Sequence, residues 1–190
     1  MNKKLAAALS GGAVLVLALS GCGGDDSSEK LNSWAKEVCD EVQPQAKKIE
    51  AANTSIQKQT SDNSTPADVQ KTDSQAFQDM SDAYKAIGAA VNKAGAPDVE
   101  DGKKKQADAV KELNGISTSY ADLKKQVDAL DTKDQGKFAD GLKDIATELD
   151  KLGQSGNVAL NKLQEGEVGQ AMTKQESCKS ASGSPSATNG

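Results

Sequence analysis

Apolar residues recur at intervals of three and four positions along four segments of the chain, with polar residues between them. This spacing is typical of amphipathic α-helices, which place their apolar side chains on one face. No segment shows the strict alternation or the β-branched and aromatic enrichment expected of strands. The four stripes are Leu31, Trp34, Val38, Val42, Ala46, Ile49 and Ile56; Val69, Phe77, Met80, Tyr84, Ile87 and Val91; Ala107, Val110, Leu113, Ile116, Tyr120, Leu123, Val127 and Leu130; and Phe138, Leu142, Ile145, Leu149, Leu152, Ala159 and Leu163. The pattern predicts an all-α protein with four long helices.

Two of the predicted helices begin at recognisable capping sequences. Before the second stripe, Thr65 can accept a hydrogen bond at the helix start, Pro66 suits the first helical position, and Asp68 completes a capping-box arrangement. Before the fourth stripe, Thr132 and Gln135 have the spacing of a capping box. These signals place helix starts near residues 66 and 133.

Proline and glycine residues mark where the predicted helices weaken or end. Pro44 lies inside the first stripe, where it removes a backbone donor and predicts a kink or a break. Gly153 and Gly156 weaken the fourth helix, although its apolar spacing continues through them. Beyond Gly166 the sequence predicts one further short helix before Cys178.

Short connections between long helices favour an up-down-up-down arrangement, because each helix then packs antiparallel to its neighbour. The sequence therefore predicts an antiparallel four-helix bundle with a short C-terminal helix over residues 29–179. At about 1.5 Å per residue its helices extend roughly 43–50 Å. Residues 22–28 are small and polar and are expected to form a flexible tether, and the Ser-rich and Gly-rich residues 180–190 are expected to form a disordered tail.

The N-terminal 21 residues have the organisation of an export signal. Lys3 and Lys4 precede an apolar stretch at residues 5–19, and small residues follow it. The stretch contains Ser and Gly and is shorter than the ~20 apolar residues of a membrane span. The segment Leu19–Cys22 (LSGC) resembles the lipobox of bacterial lipoproteins. Residues 1–21 are therefore expected to be a cleaved signal peptide.

The lipobox resemblance implies that Cys22 is alkylated by a diacylglyceryl group and becomes the mature N-terminus. A two-chain lipid anchors a protein stably, since each buried methylene contributes about 0.8 kcal/mol. Lipobox, polar tether, helices rich in Ala, Lys and Asp, and polar tail together resemble the small secreted lipoproteins of high-GC Gram-positive bacteria. This resemblance implies a location at the extracellular side of the cell membrane, with the membrane contacted through the lipid on Cys22.

The cysteine count predicts one disulfide bond. Of the three cysteines, Cys22 is assigned to the lipid, which leaves Cys39 and Cys178 as a pair in a compartment where disulfides persist. An up-down bundle brings the start of its first helix and the end of its last to one pole. We therefore expect Cys39 and Cys178 to be bonded there, with two free buried thiols as the alternative.

The charge of the chain argues against a nucleic-acid partner. The sequence has 23 basic and 28 acidic residues, a formal charge of −5, and loss of Lys3 and Lys4 with the signal peptide makes it −7. An acidic chain is repelled by phosphate backbones. The sequence contains no His, and every basic residue is Lys.

The residue types present favour a non-catalytic protein without a cofactor or a metal. His is the commonest transition-metal ligand and the most frequent general base, and it is missing. The leading hypothesis is a cell-surface helical module that binds or spaces an envelope protein. The alternative is a carrier or sensor of a small molecule held between helices, because Gly153 and Gly156 would leave room in the fourth stripe.

Overall fold

The computed structural model describes residues 24–59, 64–155 and 158–181. All regular elements in these ranges are helices, which confirms the all-α prediction. They are α1 (Gly24–Gln59), α2 (Pro66–Ala94), α3 (Gly102–Asp128), α4 (Gln135–Ser155), α5 (Val158–Leu163), α6 (Glu167–Thr173) and α7 (Glu176–Ala181). Residues 1–21, Cys22 and the tail beyond residue 181 lie outside the described residues.

Helix α1 is continuous and longer than the sequence suggested. It begins at Gly24, so residues 24–28 extend the helix where a tether was expected. Acidic residues near a helix start complement the dipole, which accounts for a helical conformation around Asp26. Pro44 lies within the helix without a break. Its side chain is exposed, so water can satisfy the backbone carbonyl that proline leaves without a donor.

The first three helices pack antiparallel in chain order. Near the start of α1, the Trp34 indole Nε1 donates a 2.8 Å hydrogen bond to the backbone carbonyl of Gly95, just beyond the end of α2. Near the start of α2, the Gln70 side-chain amide donates to the Val127 carbonyl at the end of α3 at 2.9 Å. Helix α2 therefore lies between α1 and α3 and packs closely against both.

The fourth apolar stripe is helical throughout its described residues, which belong to α4 and α5. Helix α4 ends at Ser155, and α5 begins at Val158 after two residues that the structure does not describe. Two short helices, α6 and α7, follow where one was expected. Helices α4 and α5 pack on α3, whereas α6 and α7 pack on α1. Glycine reaches positive φ without strain, and Gly166, with φ 68°, lies between α5 and α6.

The capping predictions have different outcomes at α2 and α4. At α2 the Thr65 hydroxyl accepts from the Asp68 backbone N–H at 3.2 Å and donates to the Asp68 carboxylate at 2.5 Å, as expected. At α4 the capping side chain is Asp134, whose Oδ1 accepts from the Lys137 N–H at 3.1 Å. The predicted cap Thr132 is wrong, because Asp134 stands directly before the first helical residue.

The buried apolar side chains form two clusters, one toward each end of the long helices. The first holds Leu31, Trp34, Ala35, Val38, Ile87, Val91, Ala109, Leu113, Leu163, Val168 and Ala171. The second holds Ala52, Ala76, Phe77, Met80, Leu123, Val127 and Ile145. The first cluster surrounds the start of α1, and the second lies toward its end. We call these ends the proximal pole and the distal pole.

Candidate functional site

A disulfide bond joins the first and last described helices at the proximal pole. Cys39 of α1 is fully buried and is bonded to Cys178 of α7, with the two Cα atoms 5.0 Å apart and 139 positions between them in the chain. The predicted disulfide is confirmed. Cys22 lies outside the described residues, but α1 begins only two positions after it.

Hydrogen bonds on both sides of the disulfide hold α7 against α1. The Ser177 hydroxyl donates to Asp40 Oδ1 at 2.5 Å, and the Gln175 amide donates to the Asn32 backbone carbonyl at 3.4 Å. Asp40 also accepts from Lys36 at 2.6 Å. The Lys36 hydrogen bond, followed by that of Ser177, lowers the pKa of Asp40, which therefore stays ionised in this contact.

A groove of about 890 Å³ lies toward the distal pole, between the end of α1 and the start of α2. Small residues form much of its surface, and charged residues stand around them. Its lining is Ala51, Ala52, Ser55, Lys58, Gln59, Asp68, Gln70, Lys71, Thr72, Ser74, Gln75, Ala76, Asp79 and Asp128. We call this the distal groove. Its volume lies in the range of ligand sites in proteins.

The three carboxylates of the distal groove all accept hydrogen bonds from the protein. Asp68 accepts from the Thr65 hydroxyl, and Asp79 accepts from the Gln75 amide at 2.9 Å. Asp128 pairs with Lys124 at 2.6 Å. The hydrogen bond from Lys124, together with one from Ser74, lowers the pKa of Asp128.

The two lysines of the same groove make no such contacts. Neither the Lys58 ammonium nor the Lys71 ammonium has a hydrogen-bond or ion-pair partner among the described residues, and both side chains are exposed. The groove thus combines engaged carboxylates with unpaired ammonium groups. The sequence does not reveal which charged groups are paired, because pairing depends on which side chains the packed helices bring close together.

Asp73 is a buried carboxyl that the sequence analysis did not single out. It is 8% exposed, and no hydrogen-bond or ion-pair partner lies beside it among the described residues. Burial raises its pKa to about 6. It stands midway between Val69 and Phe77, four positions from each, so it continues the apolar stripe of α2. This position on the apolar face of α2 was the sequence signal for the burial of Asp73.

A layer of polar side chains lies in the middle of the bundle. The Tyr84 and Tyr120 rings are stacked, with centroids 5.6 Å apart and planes at 8°, and burial raises the pKa of both hydroxyls, that of Tyr120 to about 12. Ser81 and Ser117 are buried, and each hydroxyl donates to the other residue's backbone carbonyl at 2.8 Å. On α1, the buried Oε1 of Gln45 has no hydrogen-bond partner.

Of the two glycines expected to leave room for a ligand, Gly153 does not line a described groove. Gly153 is exposed, a side chain added there would meet nothing within 4 Å, and Gly153 lines none of the five described grooves. Gly156 lies outside the described residues. The distal groove instead depends on Ala and Ser residues of α1 and α2.

In residues 24–59, 64–155 and 158–181, no three His, Cys, Asp or Glu side chains are grouped closely enough to hold a metal ion. No helix in the same ranges combines the length and apolar character needed to cross a bilayer. No family model, curated protein or solved structure matches this chain. The functional conclusion therefore rests on the residues themselves.

Proposed function

We propose that the chain is a lipid-anchored, non-catalytic helical module at the extracellular side of the bacterial cell membrane, where it binds or spaces another envelope component. The Cys39–Cys178 disulfide is the observation that supports this most. Disulfides persist in exported proteins and are rare in the reducing cytosol. Export is also what the signal peptide and the lipobox at Leu19–Cys22 imply.

The geometry of α1 gives the proposed anchor a consequence. With the lipid on Cys22, only Gly23 separates the modified residue from the first helical residue. A 36-residue helix extends about 54 Å at ~1.5 Å per residue. The proximal pole and the disulfide then face the membrane, and the distal groove stands several nanometres away from it, open to partners.

We also infer that α4 and α5 together take the fourth position of an up-down-up-down bundle. The Gln126 amide of α3 donates to Glu148 of α4 at 2.6 Å. Further along, the Glu112 carboxylate of α3 accepts from the backbone N–H of Leu160 in α5 at 3.2 Å. From the first contact to the second, the position in α3 moves toward its N-terminus while the position in the fourth segment moves toward the C-terminus. This order supports antiparallel packing of α4 and α5 along α3.

The second candidate function is a carrier or sensor of a small molecule. The distal groove favours it, because about 890 Å³ accommodates a drug-sized ligand. An enzymatic role has less support. Asp73 is the only described carboxyl whose pKa is raised, and it lines none of the five described grooves.

Lipid labelling in the native host tests the anchor. The wild-type chain should incorporate labelled palmitate and sediment with membranes, and Cys22→Ala should lose both properties. A Cys39→Ser/Cys178→Ser chain is the matched control and should keep the label, because its lipobox is intact. Equal labelling of wild type and Cys22→Ala would overturn the anchor.

Crosslinking on intact cells tests the binding role. Wild-type protein should give a reproducible crosslinked partner or ligand, and the Cys22→Ala chain, no longer held at the membrane, should give much less. Failure to recover any reproducible adduct from wild-type cells would contradict a binding role, and it would leave a role in spacing alone.

A further inference from the structure

We propose that the distal groove binds a small molecule that has carboxylate or phosphate groups, and that the ammonium groups of Lys58 and Lys71 recognise its negative charge. The inference deepens the small-molecule alternative above by naming the class of ligand. It rests on a binding role and is independent of the lipid on Cys22.

The assignment starts from what each charged group of the groove already contacts. Asp68, Asp79 and Asp128 accept hydrogen bonds from Thr65, Gln75 and Lys124, respectively. A bound cation would compete with these internal donors for the same carboxylate oxygens. Lys58 and Lys71 have no such partners among the described residues, so a bound anion displaces no described protein group from them.

The charge balance of the groove permits an anion to approach. Among the described lining residues, with Lys124 included, three ammonium groups stand against three carboxylates, so this part of the groove carries no net negative charge, unlike the chain as a whole. In the first turn of α2, the carboxylate of Asp68 already complements the helix dipole. Recognition of an anion therefore depends on Lys58 and Lys71.

The shape and polar groups of the groove suit a small ligand. Ala51, Ala52 and Ala76 leave the space between α1 and α2 open. The Ser55 hydroxyl is already bonded to the Ala51 carbonyl at 2.9 Å. The Thr72 hydroxyl has no hydrogen-bond partner among the described residues, so it can donate to an anionic oxygen beside the two ammonium groups.

The groove beside α6 and α7 provides a contrast. It has about 620 Å³ and is lined by Lys179, whose ammonium pairs with Glu176 at 2.6 Å. Among the described residues of that lining, Lys179 is the only charged one. Among their described lining residues, the distal groove therefore has unpaired ammonium groups, whereas the groove beside α6 and α7 does not.

Titration calorimetry of the mature full-length chain with citrate and with inorganic phosphate tests the proposal. Saturable binding is expected for at least one of these two probes at concentrations up to about 10 mM. A Lys58→Gln/Lys71→Gln variant should bind about tenfold more weakly. Added salt should weaken binding to the wild type, because ion pairs at an open groove are screened.

A Lys48→Gln/Lys85→Gln variant is the matched control, because it removes the same charge from exposed positions of α1 and α2 outside the groove. It should bind like the wild type, and circular dichroism should show the same fold for both variants. Equal binding by the two double variants, or no saturable binding of either probe, would overturn the proposal. Neither result would affect the lipid-labelling test of the anchor.

Discussion

The indole N–H of Trp34 donates a 2.8 Å hydrogen bond to the backbone carbonyl of Gly95, and this contact fixes how the start of α1 meets the end of α2. Gly95 has a positive φ of 77° and donates its own N–H to the Asn92 carbonyl, so it terminates α2. Trp34 is buried, as its place in the first stripe predicted. The Trp34 side chain thus contributes both apolar packing and a specific hydrogen bond to the residue that ends α2.

Replacing Trp34 by Phe should destabilise the protein, because the Gly95 carbonyl loses its donor while most of the apolar packing remains. We expect a loss of about 1–2 kcal/mol in the free energy of unfolding. Trp34→Ala, which also leaves a cavity, should cost about 3–5 kcal/mol. Urea unfolding measures both. A Phe variant as stable as the wild type would show that the hydrogen bond contributes nothing.

The contribution of Asp73 to the free energy of unfolding should rise as the pH falls from about 7 to about 4, because its buried carboxylate becomes protonated. Its folded pKa, raised by burial from 3.8 to about 6, means that the folded state binds a proton more tightly than the unfolded state. The charged carboxylate is therefore destabilising at neutral pH, by roughly 2 kcal/mol. This penalty falls as the pH drops below about 6 and is lost only near the unfolded pKa of 3.8, where the unfolded carboxyl is protonated too.

Asp73→Asn should remove that pH dependence and raise stability at pH 7, as measured by urea unfolding at several pH values. Asp82→Asn is the control, because Asp82 is an exposed carboxylate of the same helix that bonds Gln78. It should leave the slope between pH 6 and 4.5 unchanged. An Asp73→Asn protein that retains the wild-type slope would assign the titration to another group.

Two glycines of α4 should respond differently to replacement by alanine. A side chain at Gly153 meets nothing within 4 Å, so Gly153→Ala should stabilise the helix by about 0.5–1 kcal/mol through its higher helix propensity. A side chain at Gly141 would overlap the Leu130 side chain, which must then move. Gly141→Ala should therefore be less stable than Gly153→Ala by about 1 kcal/mol. Equal melting temperatures would mean that Leu130 does not pack tightly on α4.

Removing the disulfide should loosen α7 before the rest of the protein. A Cys39→Ser/Cys178→Ser chain loses a crosslink across 139 positions, for which the loop-entropy model gives up to about 5 kcal/mol. Hydrogen exchange should rise most at residues 176–181, because that helix then depends on Ser177, Gln175 and a small buried surface. Uniform exchange across all helices would show instead that the bond stabilises the whole core directly.

The features predicted correctly from the sequence are those determined locally or by simple counting. Thr65 caps α2 because its partner Asp68 is three positions away, within the same turn. The Cys39–Cys178 bond was predicted because assigning Cys22 to the expected lipid left these two of the three cysteines. The helical stripes identified 12 of the 18 buried residues in the two core clusters, and five of the six that they missed are alanines.

The features that were missed depend on tertiary placement. Asp73 interrupts the apolar stripe of α2, and only the packing of neighbouring helices shows that it is buried. The unpaired state of Lys58 and Lys71 likewise depends on which carboxylates come within reach. Two short helices, α6 and α7, stand where the sequence predicted one beyond Gly166, a division that periodicity alone does not measure.

We propose that the sulfur of Cys22 carries lipid, whereas Cys39 and Cys178 are bonded to each other. Counting thiols in protein purified from membranes and denatured tests this most directly. We expect no reactive thiol before reduction and two after it, out of three cysteines in the sequence. Any reactive thiol before reduction, or three after it, would show that Cys22 carries no lipid or that Cys39 and Cys178 are not bonded.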